Sequence, residues 1–201
     1  MNRLRLLLAV LAGVTCAAAS AQPAPQDVLD RAIAYHDPEN RWPTLKAHFD
    51  FEESRPGGDN SASSMLLDNA RSFMRVDLSG KESYEITGET VEILSGDKNE
   101  KRGLMIRNYF LYLWGLPMKL RDPGTVFDPA VGTSQIDGFT CDVIRVIYEK
   151  DTWFFHIDQA TGRMRQYEFY KDETKAAGEI ITLTGEIESA GIRFPQERTW
   201  Y

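Results

Sequence analysis

The sequence predicts a mainly β fold with a few helices, a curved antiparallel sheet forming an incomplete β-barrel with helices across its concave face. Three observations carry that expectation. Over 45–52 the residues alternate with period two, Leu45, Ala47, Phe49 and Phe51 against Lys46, His48, Asp50 and Glu52, as in a strand covered on one side. Turn glycines at Gly80, Gly88 and Gly96 separate short alternating runs, and Asp137-Gly138, 158–162 and Ala190-Gly191 mark further hairpins, the spacing of an antiparallel meander. Two later stretches, 141–148 and Trp153-Phe154-Phe155, are apolar on both faces, whereas a sheet covered on one side only alternates cleanly. The concave side therefore needs cover, from a plugging helix or from an apolar ligand, and the pattern leaves both open.

A length of 201 residues suits one domain, and 42% hydrophobic with 26% charged residues is a globular composition, which excludes a disordered or collagen-like chain. At the N-terminus Arg3 and Arg5 precede an apolar run over 6–14 and then Ala19-Ser20-Ala21, the pattern of a secretory signal peptide over 1–21 cleaved before Gln22. The expectation is an exported protein of the periplasm or extracellular space. Neither 6–14 nor the later apolar run 104–114 reaches the roughly 20 residues of a spanning helix, so no transmembrane segment is expected. Cleavage leaves 21 basic against 30 acidic residues, a formal charge of −9, which disfavours nucleic acid and anionic membrane surfaces as partners. Of the two cysteines, Cys16 lies in the signal behind Gly13-Val14-Thr15, a poor lipidation pattern, and Cys141 remains alone, so no intramolecular disulfide is available.

Residues 22–26 form a short Pro-rich leader, and 27–201 read as a single domain without linker or repeat. Val28, Leu29, Ala32 and Ile33 recur at helical spacing over 27–36, and Asp37-Pro38 stops that helix. After the strand from Leu45 and a polar loop over 54–60, strands are expected at 62–69, 71–79, 82–87 and 90–95. The segment 104–114 is apolar nearly all round and reads as a short buried helix closed by a cap at Gly115. Strands return near 126–128, 133–136, 139–148, 152–157, 163–171, 179–187 and 194–201.

Motifs for chemistry are sparse. No Gly-rich phosphate loop and no Gly-x-Ser-x-Gly turn occurs, and the three histidines, His36, His48 and His156, form no helical i, i+4 pair. His36, Asp37 and Glu39 are a polar helix end as readily as a cation site, Cys141 reads as a buried inert thiol, and His48 and His156 as solvent-facing or hydrogen-bonded strand residues. No catalytic residue, metal or cofactor is expected. The aromatic load of the second half, including Trp114, Trp153, Phe154 and Phe155, suits a filled core and an apolar pocket alike.

Three motifs carry a resemblance: Tyr35-His36-Asp37-Pro38 with Trp42, Gly115-Leu116-Pro117-Met118-Lys119-Leu120 followed by Asp122-Pro123-Gly124-Thr125, and Lys150-Asp151-Thr152-Trp153-Phe154-Phe155. They resemble an uncharacterised family of exported, single-domain bacterial proteins common in Bacteroidetes-like lineages. The layout of helix, meander, helix and hairpins is similar in architecture to the periplasmic lipoprotein carriers of outer-membrane sorting. That resemblance implies an open, incomplete β-barrel with helices over a hollow that holds acyl chains without a cofactor. No arginine of this sequence is matched to the carriers' ligand-releasing residue.

The function expected on this basis is an exported binding protein that holds a lipid or lipoprotein acyl chain in an apolar cavity without catalysis. Its candidate ligand-lining residues are Phe49, Phe51, Met74, Val76, Trp114, Val143, Trp153 and Phe155, and the break at Gly115-Leu116-Pro117 is where a lid helix would hinge. Two alternatives stand beside it. One is a hydrolase-type enzyme with a polar site at His36 and Asp37, with His48; the other is a structural or interaction module without a ligand.

Overall fold

The computed structural model describes residues 22–97 and 99–201, so the expected signal peptide over 1–21 lies outside the described residues. Among these residues strands take 49% and helices 23%. The chain starts with helix α1 (Pro25–His36) and then builds a meander of five antiparallel strands, β1 (Lys46–Glu53), β2 (Ser61–Asp68), β3 (Phe73–Leu78), β4 (Glu82–Thr87) and β5 (Thr90–Ser95). Helix α2 (Glu100–Gly115) interrupts it. A second meander follows, β6 (Val126–Ile136), β7 (Phe139–Ile147), β8 (Thr152–Asp158), β9 (Met164–Asp172) and β10 (Ala177–Thr184). A small hairpin, β11 (Ile187–Ser189) and β12 (Ile192–Phe194), leads to β13 (Glu197–Trp200), which pairs back onto β10 as the second sheet's edge. Both sheets are curved, and they do not close into a barrel.

Period-two patterning builds each inner face. In the first sheet the register sets Phe49 opposite Met65, Met65 opposite Val76 and Val76 opposite Tyr84, a cross-strand row of buried side chains. In the second, Val131, Ile144, Phe155, Tyr167 and Ile181 make the equivalent row, which Trp200 of β13 continues to the edge. Such rows are the unit of sheet stabilisation, because opposed side chains bury one another. At the β6–β7 turn Asp137 and Gly138 both have positive φ (49° and 83°), the conformation a two-residue hairpin requires. The two short strands expected at 126–128 and 133–136 are one strand with a register shift between Phe127 and Val131.

Helix α1 buries Val28, Leu29, Ala32 and Ile33 against the second sheet, and its Arg31 pairs with buried Asp142 at 2.5 Å. The Asp37 carboxylate receives the backbone N–H groups of Arg41 (2.6 Å) and Trp42 (2.9 Å), which fixes the turn after the helix. Helix α2 is a turn longer than its apolar run, because Asn99 caps it by accepting the Arg102 N–H at 3.0 Å. The expected glycine cap is not made: Leu116 is extended, and Gly115 is not among the positive-φ residues. Gly115 serves close packing instead, since an added Cβ would lie 2.5 Å from the Trp42 ring. Nor is α2 buried all round. Ile106, Phe110 and Leu113 face the core, while Met105 and Tyr109 are exposed. Among the described residues no helix is long and apolar enough to cross a membrane.

Candidate functional site

The first sheet ends at β1 and the second at β13, and between these two open edges lies a cleft of about 1680 Å3, flanked by α2 and the loop after β1. That exceeds the roughly 300–1,000 Å3 of ordinary small-molecule pockets and suits an extended ligand. Its apolar wall is a cluster of aromatic rings. Phe51 of β1 lies 4.7 Å from Trp114 and 5.3 Å from Phe110, both on α2, and Phe110 stacks on Trp114 at 5.1 Å. Phe49 packs on Phe51 at 6.1 Å and on Phe194 at 5.3 Å. Strand alternation turns Phe49 and Phe51 to the same side, and the i, i+4 spacing of Phe110 and Trp114 stacks them on one helix face. A shallower depression of about 300 Å3 on the outer face of the first sheet includes His48, Arg75 and Asp77, and it lacks an aromatic wall.

Three of the eight expected lining residues, Phe49, Phe51 and Trp114, line this cleft. Met74, Val76 and Phe155 are 2%, 0% and 0% exposed and belong to the packed core. Trp153 sits deeper, 5.0 Å from Phe169, 5.1 Å from Tyr112 and 6.0 Å from Phe155, so α2 reaches the second sheet through Tyr112 and the cleft wall through Phe110 and Trp114. Val143 lies opposite His156 and Gly132, on the second sheet's outer face. The inner row runs through its neighbours Ile144 and Val146 instead.

His36, Asp37 and His48 do not converge. His36 is buried with both ring nitrogens engaged: Nδ1 donates to the Arg193 carbonyl at 2.7 Å and Nε2 accepts the Met164 N–H at 3.1 Å. Burial lowers its pKa to about 4, so at neutral pH it is an uncharged tie between α1 and two hairpins. His48 is exposed beside Asp50. Cys141 is buried, and burial raises its thiol to about 11. Among the described residues no three His, Cys, Asp or Glu side chains gather as a metal site would need.

A polar cluster not singled out by the sequence lies on the outer face of the second sheet. Ser134 Oγ is 2.8 Å from His156 Nδ1, and His156 Nε2 is 2.9 Å from Glu168 Oε1. Gln166 and Tyr170 also donate to Glu168, at 2.8 and 2.7 Å. His156 foremost, with these donors, holds the Glu168 carboxyl down to about 2. The residue types are those of a nucleophilic triad, but none of them lines the cleft, and the arrangement is a clasp across β6, β8 and β9. The β8–β9 pairing, which sets His156 opposite Gln166, brings His156 and Glu168 to one face.

Arg198 of β13 is the cleft residue that sequence reading missed. It lies opposite Leu183, whose side chain is buried, so it points inward, and its guanidinium sits 4.5 Å from the Trp114 ring centre.

The profile of a family of unknown function, DUF6503, matches residues 85–181, from β4 through α2 to β10. No curated protein sequence matches the chain. Among solved structures, a LolA superfamily protein from Nitrosomonas europaea superposes with a TM-score of 0.53 at 10% identity, covering 89% of this chain and 85% of that one. MucB in complex with MucA(peri) aligns over 77% of this chain and 51% of that one, at 16% identity and a TM-score of 0.29. At 10% identity the likeness to the LolA superfamily protein is one of fold: the chain shares its curved, open antiparallel architecture.

Proposed function

We propose that the protein is a non-catalytic binding protein, exported to the periplasm, whose single domain over 27–201 holds a lipid or lipoprotein acyl chain in the cleft between β1 and β13. The observation that carries this reading is the aromatic-walled cleft of about 1680 Å3 at the point where the barrel fails to close. Each methylene transferred from water to such a wall contributes about 0.8 kcal/mol, so a long chain is held without a charged catalytic group. The exposed flank of α2, Met105 and Tyr109, faces the cleft and supplies movable apolar surface. The LolA-like fold supports the reading as the architecture of a carrier, with fold alone establishing no cargo.

Native mass spectrometry of the protein purified from its own envelope, followed by titration of the stripped protein with a fluorescent fatty acid, tests it. A stoichiometric lipid, or saturable uptake that Phe51→Ala weakens at least about tenfold, is the expected outcome. Absence of both lipid and uptake would leave a structural module as the better description.

A further inference from the structure

Within the cleft Arg198 is out of keeping with the rest of the molecule. Its Nε is buried without a hydrogen-bond partner, Nη1 donates to the Pro195 carbonyl at 3.4 Å, and the guanidinium interacts with the Tyr167 hydroxyl. The Tyr167 hydroxyl, buried on the inner row of the same sheet, is its neighbour there. The polar groups that act on Arg198 are the phenols of Tyr167 and Tyr109, and no carboxylate is among them. Other arginines are matched to carboxylates: Arg165 with Asp158 at 2.6 Å, Arg102 with Glu82 at 2.9 Å, and Arg145 with Glu173 at 2.7 Å. A partly buried guanidinium without a carboxylate partner is costly, and one set over an indole ring keeps edge donors available for a planar or tetrahedral oxyanion.

We infer that Arg198 selects ligands with an oxyanion head group, a carboxylate or phosphate on an alkyl chain, over neutral amphiphiles of the same chain length. The inference rests on the acyl-binding reading and narrows its ligand class. The chain lies along Phe49, Phe51, Phe110 and Trp114, and the head group accepts hydrogen bonds from the Arg198 guanidinium, which no carboxylate engages. Of the acidic residues of the cleft, Asp50, Glu52, Glu53, Asp59, Glu179 and Glu197 are exposed, and Glu82 is paired with Arg102. The exposed carboxylates stand at the rim, where they slow the entry of anions that bring no apolar chain, while the cationic group lies inside.

The test uses three probes with one tail, oleate, oleoyl lysophosphatidate and oleyl alcohol, each below its micellar concentration at pH 8. Their competition with a fluorescent fatty acid is measured on wild type, Arg198→Met and Arg198→Lys. Wild type is expected to prefer at least one anionic probe to the alcohol by about tenfold or more. Arg198→Met should bring that ratio close to one, and Arg198→Lys should retain part of it. The stronger of the carboxylate and phosphate arms identifies the head group. Equal wild-type affinity for all three probes, or an unchanged ratio in Arg198→Met, overturns the inference and leaves acyl binding standing. Failure of every probe to bind refutes the acyl-binding reading itself. If Arg198→Met does not fold by circular dichroism, the wild-type ratio and Arg198→Lys still decide.

Discussion

Protonation of His36 should cost the fold a defined amount of stability over a defined pH range. The imidazole is 1% exposed, with its Nδ1–H given to the Arg193 carbonyl and its Nε2 lone pair to the Met164 N–H. A second ring proton would sit against that N–H with no water to relieve it. The folded pKa of about 4 lies below the unfolded value of about 6.5. Between those values the unfolded chain binds a proton that the folded chain does not, so stability falls as pH falls from 6.5 to 4 and is level above it. A gap of about 2.5 units at 1.36 kcal/mol per unit is about 3 kcal/mol, a large share of the 5–15 kcal/mol typical of a domain. Urea unfolding at pH 7.5, 6.5, 5.5 and 4.5 on wild type and His36→Gln measures it. The variant is less stable at pH 7.5, since glutamine cannot reproduce both ring contacts, but its stability should decline much less on acidification. His48 and His156 are common to both chains and cancel in the comparison. Equal losses in the two proteins between pH 7.5 and 4.5 would falsify the assignment of His36 as a neutral buried tie.

Three further outcomes follow from the packing. Gly115→Ala should lower stability by about 1–3 kcal/mol in thermal unfolding, because the new methyl meets the Trp42 ring, whereas Gly132→Ala, whose Cβ would find Val143 at an ordinary 3.4 Å, should change it by about 0.5 kcal/mol or less. The depressed carboxyl of Glu168 contributes stability that is present above pH 4.5 and lost as pH falls toward 2. Glu168→Gln should flatten the acid limb by roughly 1 kcal/mol once solvent screening is allowed for, and an unchanged limb would remove the clasp from the account of acid stability. Cys141, buried with its thiol raised to about 11, should react with a disulfide reagent at neutral pH only at the rate of global opening, which urea accelerates; rapid labelling of the native protein would contradict that burial.

Most elements were legible in the sequence because their signals are local. The alternation at 45–52 and the turn glycines at Gly80 and Gly88 are properties of neighbouring residues, and β1 and the hairpins of the first sheet lie where they place them. Helix α2 was placed but shortened, since its polar first turn is recognisable only once Asn99 is known to cap it. Gly115 was read as a cap because a glycine after an apolar run ordinarily is one; the Trp42 ring that occupies its missing Cβ comes from far away in the chain.

For the candidate site the division is sharper. Sequence alone put Phe49 and Phe51 on one face of β1, because strand periodicity assigns a face before any partner is known, and offered Met74, Val76 and Phe155 with them as ligand-lining residues. It did not sort those beside the cleft from those sealed beneath it: Phe49 and Phe51 meet the opening because β1 is an edge, while Met74, Val76 and Phe155 lie on interior strands. Arg198 carries the same lesson. A lone arginine on a terminal strand reads as solvent-facing, and only the pairing of β13 with β10, which sets Arg198 opposite Leu183 and over Trp114, turns the charge inward. Edge position and sheet order arise from contacts between residues distant in the chain, and a pattern of period two carries no information about them.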